Sequence, residues 1–190
     1  MVLVEPIDPT LNEVDDKGEA MTELRVNKVK QSLAESKVVT VPMGPMSSEL
    51  IEHFGPLGFD ALWLEGEHGP VDFDNIPDLT RACDLWGMTP IVRVYQNEPA
   101  VIYRTLDLGA MGVCVPHINT KSEAEAVVQA SKFAPMGMRG SFTSRQGIGV
   151  ENYFTTANEQ TLSIILICLL YTSDAADDTP CVDLGGRRII

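Results

Sequence analysis

A chain of 190 residues, 44% hydrophobic and 22% charged, is long enough for one ordinary domain with a sizeable core. The net charge of −13 is uneven, with six acids against one lysine in residues 1–21, and no basic stripe is available to track nucleic acid. No charged stretch followed by an apolar one is visible at the start, so a secretory leader is not expected, and the longest apolar run, Ile164–Tyr171, is too short to cross a bilayer, so a membrane partner is not expected either.

Residues 1–21 are acidic, lack aromatics and are broken by Pro6, Pro9 and Gly18, so they read as a disordered leader. Residues 22–36 place Leu24, Val26, Val29 and Leu33 at helical spacing. Val38–Pro42 is a short β-branched strand, and Ser47 or Ser48 caps a helix running to Phe54. A second strand, Ala61–Leu64, leads into the acidic run ending at His68, Gly69 and Pro70. Asp72 or Asp74 then caps a helix through Leu79, Ala82, Leu85 and Trp86, stopped by Gly87. Pro90–Tyr95 is the third strand. Glu98 and Pro99 open a helix that Gly109 ends, and Gly112–Pro116 is the fourth strand. Ser122 caps the next helix, through Phe133. A loop rich in Gly, Ser and Arg follows, then a short helix over Tyr153–Asn158 and a fifth strand, Leu162–Ile167.

Continuous apolar strands alternating with helices imply a parallel sheet. A doubly wound open sheet and a (β/α)8 barrel both satisfy that pattern. No GxGxxG follows the first strand and no GxxxxGK[ST] occurs, which weakens the nucleotide-binding open sheet. Polar residues at or beyond strand ends (His68, Arg93, His117) favour the barrel. Eight strands need about 250 residues, so the expectation is an α/β fold, an incomplete (β/α)8 TIM barrel with about five of eight strands. The pattern fails after Ile167. The segment CLLYTSDAAD resembles a translated sequencing adaptor, so residues 168–190 read as a non-native tail and 22–167 as the partial-barrel domain. Cys83, Cys114, Cys168 and Cys181 show neither CxxC spacing nor a paired framework, which fits free thiols in a reduced, cytoplasmic setting.

A base, a cation and a carboxylate stand at successive element ends: His68, Arg93 and Asp107. Each has a plain structural rival. A histidine at a strand end is commonly structural, Arg93 suits a salt bridge at the barrel mouth, and Asp107 suits a helix end before Gly109. Glu65 and Glu67 flank Gly66 and offer a supporting acid; with period two both point one way, if the strand extends that far. His117 offers a pocket-lining group. His53 reads as solvent-facing. Arg139 and Arg145, in the 137–147 loop, can touch an acidic substrate or merely belong to a flexible barrel loop.

The motifs GEHGP (66–70), PIVRV (90–94), LDLGAMGVCVPHI (106–118) and PMGMRG (135–140), in that order, resemble the HpcH/HpaI aldolase family, class II pyruvate aldolases typified by the 4-hydroxy-2-oxoheptanedioate and 2-dehydro-3-deoxyglucarate aldolases. The spacings of 25 residues from His68 to Arg93 and 14 from Arg93 to Asp107 match the family. The resemblance implies a lyase that cleaves 4-hydroxy-2-oxo acids to pyruvate and an aldehyde. The sequence does not specify the aldehyde; succinic semialdehyde, tartronate semialdehyde and lactaldehyde are candidates. The family's cofactor is a divalent metal, Mg2+, Mn2+ or Co2+, acting as a Lewis acid on the developing enolate. By the same resemblance His68 is the base, Asp107 the carboxylate that orients it, and Arg93 the cation on the keto oxygen. A homohexamer is implied for the full-length form.

The family's metal-binding glutamate falls at Cys168 and its aspartate beyond, while Leu166 replaces a frequent glutamine. No metal ligand is therefore expected here, and the chain as written is expected to be an inactive, poorly folded fragment. An acyl-CoA lyase of the same superfamily is disfavoured by GEHGP and by the lack of a basic CoA-binding run. A macrophomate-synthase-like decarboxylating enzyme and a non-catalytic fragment remain the other readings.

Overall fold

The computed structural model describes residues 23–44 and 47–167, together with a short antiparallel pairing of Val182–Asp183 with Arg187–Arg188. The expected acidic leader and, apart from that pairing, the expected foreign tail lie outside the described residues.

Four strands rich in β-branched and apolar residues form one parallel sheet: β1 (Ala61–Glu65), β2 (Thr89–Arg93), β3 (Gly112–Ile118) and β4 (Leu162–Ile167). Parallel strands need helical crossovers. These are α3 (Ile76–Leu85), α4 (Pro99–Asp107), α5 (Lys121–Ser131) and, after a long loop, α6 (Tyr153–Gln160), preceded by α1 (Lys28–Ala34) and α2 (Ser48–Phe54). The spatial order is β1-β2-β3-β4, the same as the chain order. A doubly wound sheet reverses its order at a switch point; these strands advance one way, as barrel strands do.

Alternation sorts the side chains into two faces. Leu62, Leu64, Val92, Val113 and Val115 pack with Leu79, Ile102, Leu106 and Val127 from the crossover helices. The opposite parity makes the concave face, where Ala61, Ile91 and Leu162 cluster with Val29 from α1, supported by Leu33, Trp63 and Ile164. Register stacks this inner face in rows. Trp63, Ile91, Gly112 and Leu162 form one, and Glu65, Arg93, Cys114 and Ile164 the next, nearer the strands' C-terminal ends. Layered side chains of this kind fill barrel interiors.

Several local expectations change. The first expected strand, Val38–Pro42, lies beside β1, where Ala61 N and Trp63 N donate to the Thr40 and Pro42 carbonyls, and one isolated bridge pairs the next residue, Met43, with Trp63. The Thr40 N–H and hydroxyl both donate to Asp60 Oδ2, at 2.7 and 2.8 Å, and Pro42 has no N–H to give, so a regular ladder does not form. The first helix starts only at Lys28, because Asn27 caps it and spends its amide on the Met111 and Gln160 carbonyls. Asn75, not Asp72 or Asp74, occupies the N-cap of α3; the Asp72 carboxylate accepts from Asp74 N in the preceding turn. Thr120 rather than Ser122 caps α5, since Glu123 stands three residues on and completes a capping box. Ser47 caps α2 as expected.

Leu62 is fully buried whereas Val38 is 89% exposed. Truncating Leu62 to Ala should cost about 3 kcal/mol through lost transfer energy and a residual cavity. Val38→Ala should stay within about 0.5 kcal/mol. Urea titration of the two variants measures the contrast.

Candidate active site

The C-terminal ends of β1, β2 and β3 bring one ion cluster together. β1 stops at Glu65, and Gly66 N then donates to Arg93 O at 2.9 Å, holding the turn against β2. A Cβ at Gly66 would stand 2.5 Å from that carbonyl oxygen, so only glycine permits this approach. The turn folds back on Glu65, whose Oε1 accepts from the backbone N–H of Glu67 (2.9 Å) and of His68 (3.1 Å). Its Oε2 accepts from Trp63 Nε1 at 3.0 Å and from Arg93 Nη1 at 3.4 Å. Burial works against ionisation of Glu65. The donors from Trp63, His68 and Glu67 and the Arg93 charge outweigh it, and hold the carboxyl below the ordinary carboxylate range.

Glu67 is the hub. Its side chain is 7% exposed and ion-pairs with Arg93 Nη2. Its Oε1 lies 2.9 Å from His117 Nε2 and its Oε2 lies 3.6 Å from His68 Nε2. The Arg93 guanidinium thus spans two carboxylates, and two imidazoles flank the second. Those imidazoles face outward, with His68 70% and His117 61% exposed. Beneath them, burial pushes the Cys114 thiol up to about 12, so it stays protonated and is no nucleophile. His117 sits at φ 60°, where β3 shifts register against β4 between Val115 and Ile118. Left-handed backbone at a residue other than glycine costs about 1–3 kcal/mol.

His68 and Arg93 therefore stand together beside Glu67, at the C-terminal ends of β1 and β2. Asp107 does not join them: the expected pair with His68 is not formed within this chain. α4 leaves the C-terminal end of β2 and runs back, so its last residue lies on the order of 12 Å away along the helix axis, at the opposite edge. There Asp107 accepts from Arg139 Nη2 at 2.6 Å. The Arg139 side chain is 2% exposed and also stacks on the Phe133 ring at 4.5 Å. Arg145 is committed to Asp84 at 2.6 Å, beside Arg25 on the same carboxylate. Neither loop arginine reaches the mouth. His53 is exposed on α2.

Glu67 is the carboxylate beside His68, and residue spacing alone placed it only as one of two supporting acids. The signal was the strand's end at Glu65: once the chain turns at Gly66, period-two parity no longer governs residue 67. Among the described residues, no group of three His, Cys, Asp or Glu side chains can hold a metal ion. Glu65 and Glu67 are spent on Arg93 and its neighbours, so these residues do not fit an ion by themselves. The position after Ile167, where the resemblance puts a metal-binding glutamate, lies outside the described residues. Among the described residues no helix is long and apolar enough to cross a membrane.

The model of the HpcH/HpaI aldolase/citrate lyase family matches residues 43–178. A 5-keto-4-deoxy-D-glucarate aldolase of Escherichia coli is 34% identical over 148 residues, covering 74% of this chain and 57% of its own length. Among solved structures, an HpcH/HpaI aldolase from Desulfitobacterium hafniense superposes with a TM-score of 0.74 at 22% identity, over 82% of this chain and 62% of that one. An HpcH/HpaI aldolase/citrate lyase family protein from Burkholderia cenocepacia gives 0.74 at 28% identity, over 83% of this chain and 67% of that one. The chain spans somewhat over half the length of the curated relatives it matches.

Two outcomes follow from the charges at the two edges. A depressed Glu65 contributes stability that is present above its unfolded value, about 4.3, and lost as pH falls through the lower folded value. The thermal midpoint should drop on acidification across that window, and less steeply in Glu65→Gln. Asp107→Ala leaves the buried Arg139 charge without its carboxylate and should cost about 3 kcal/mol in denaturant unfolding. A catalytic partner of His68 would instead lose turnover at unchanged stability.

Proposed function

Because the chain belongs to the HpcH/HpaI aldolase/citrate lyase family, we propose that residues 22–167 carry the 2-oxo-acid side of a carbon–carbon lyase site that cleaves 4-hydroxy-2-oxo acids to pyruvate and an aldehyde. The observation that carries the reading is Arg93, held at the mouth between Glu65 and Glu67 with the exposed His68 beside it. The name of the Escherichia coli relative supports a sugar-acid-derived substrate. The buried free thiols Cys83 and Cys114 suit a reducing, cytoplasmic setting.

In this reading His68 Nε2 takes the proton from the C4 hydroxyl. The C3–C4 bond then breaks, the aldehyde leaves, and the electron pair passes to C3 as an enolate. The negative charge gathers on the former keto oxygen. Arg93 answers it with a permanent charge and planar donors already oriented by two carboxylates, so little reorganisation is needed as charge develops. Its Nε is buried without a hydrogen-bond acceptor among the described residues, which leaves donor capacity unspent at this point. A proton delivered to C3, matched by release of the one His68 took up, completes pyruvate and restores the base. Glu67 keeps the guanidinium in place and balances part of its charge.

Reversal of the last step provides a test that needs no aldehyde. The chain, with no metal added, should exchange the methyl protons of pyruvate for deuterium in heavy water faster than buffer does, followed by proton NMR. Arg93→Ala should slow that exchange by about a thousandfold, as loss of an oxyanion partner does. Exchange no faster than in buffer would sink the reading for this chain.

A further inference from the structure

His117 has no part in the proton and charge roles above, yet β3 departs from regular geometry to present it. Its Nε2 meets Glu67 Oε1 at 2.9 Å, and because a carboxylate only accepts, Nε2 is the donor. To get there the strand breaks register after Val115 and the residue takes φ 60°. A strand that needed only to be paired would have continued straight; bulges next to sites re-aim side chains. The bulge is also tied down. Asn119 Nδ2 donates to His117 O at 3.0 Å, and Asn119 N donates to Glu123 Oε2 at 2.7 Å, the same carboxylate that closes the α5 capping box.

Glu67 has more neighbours than oxygens to serve them. Arg93 on β2, His117 on β3 and His68 on its own turn all face it, with Glu65 across the guanidinium. His117 occupies Oε1, so Oε2 is left to Arg93 at contact and to His68 only at 3.6 Å.

Resting on the lyase reading, we propose that His117 is a positioning residue: it holds the Glu67 carboxylate against Arg93 and off His68. The guanidinium thereby stays aimed at the bound 2-oxo acid, and the His68 imidazole stays free to take a proton. Without this hold, Glu67 swings toward His68 and Arg93 loses its fixed pose.

The Nε–H cross-peak of Arg93 in a proton–nitrogen NMR spectrum of the full chain reads the pose directly. It should move or broaden in His117→Ala and return toward its native position in His117→Gln, whose side-chain amide restores a donor. Pyruvate affinity, followed by Trp63 fluorescence through the indole's contact with Glu65, should fall about tenfold in His117→Ala, the size expected for a hydrogen bond to a charged group. His117→Gly should lose the Arg93 pose without a lower thermal midpoint, because glycine relieves the left-handed backbone. An Arg93 peak unmoved in His117→Ala, or moved equally in His117→Gln, overturns the role. A native chain whose Arg93 peak ignores pyruvate overturns the lyase reading instead, so the two failures are separable.

Discussion

The contact between the Arg93 guanidinium and the carboxylates of Glu65 and Glu67 is the constraint on which the rest of the site depends. Glu67 is nearly buried, and a carboxylate so placed is tolerable only beside a cation with its remaining oxygens bonded. Arg93 is equally dependent, since its side chain is 21% exposed in the row of inner residues above Ile91. Parallel register supplies the match: Glu65 and Arg93 are cross-strand partners, and Gly66 then lets the turn press against the Arg93 carbonyl. The pair therefore follows from backbone pairing, and its cost is offset by the geometry of the sheet rather than by flexible side chains finding one another.

The two edges of the sheet carry different kinds of charge. At the C-terminal edge the fork of Arg93 is shared among groups that stand partly in solvent, and the imidazoles remain exposed. At the N-terminal edge the charges are locked. Arg139 is buried on Asp107 and Phe133, and Arg25 and Arg145 close on Asp84 between α3 and the long loop. Lys132 is buried too, with Nζ donating to the Asn158 and Thr161 carbonyls at 2.7 and 2.6 Å. Locked pairs bind the loop 134–148 and α6 to the helices, and so hold β4 beside β3. Shared pairs leave room for a ligand to compete. This division is the usual one for barrels, with chemistry at the strands' C-terminal ends and stability at the other.

The helix caps show why local pattern and tertiary contact sometimes disagree. Ser47 caps α2 by accepting from Leu50 N, a bond made wholly within its own turn. Asn27 also caps, but its position is set from afar by bonds to Met111 and Gln160, which shorten a helix whose apolar spacing alone would start earlier. Thr120 takes the cap of α5 from Ser122 because a reciprocal bond with Glu123 satisfies two backbone donors at once.

Most of the fold was legible from residues alone. Apolar runs bounded by glycine and proline located β1 through β4, and the strand–helix alternation with polar strand ends pointed to a barrel. His68 and Arg93 were legible because strand ends are where barrels present side chains. Three things were decided only in three dimensions. The first expected strand fell short of a regular ladder, since Asp60 captures the Thr40 N–H. Asp107 went to Arg139 because a crossover helix reverses direction, so closeness in sequence to Arg93 became distance in space. Glu67 and His117, 50 residues apart, met because a turn and a bulge broke the period-two rule at both strand ends. Periodicity is a local property of one strand, while the partner of a charge is set by how separate strands align.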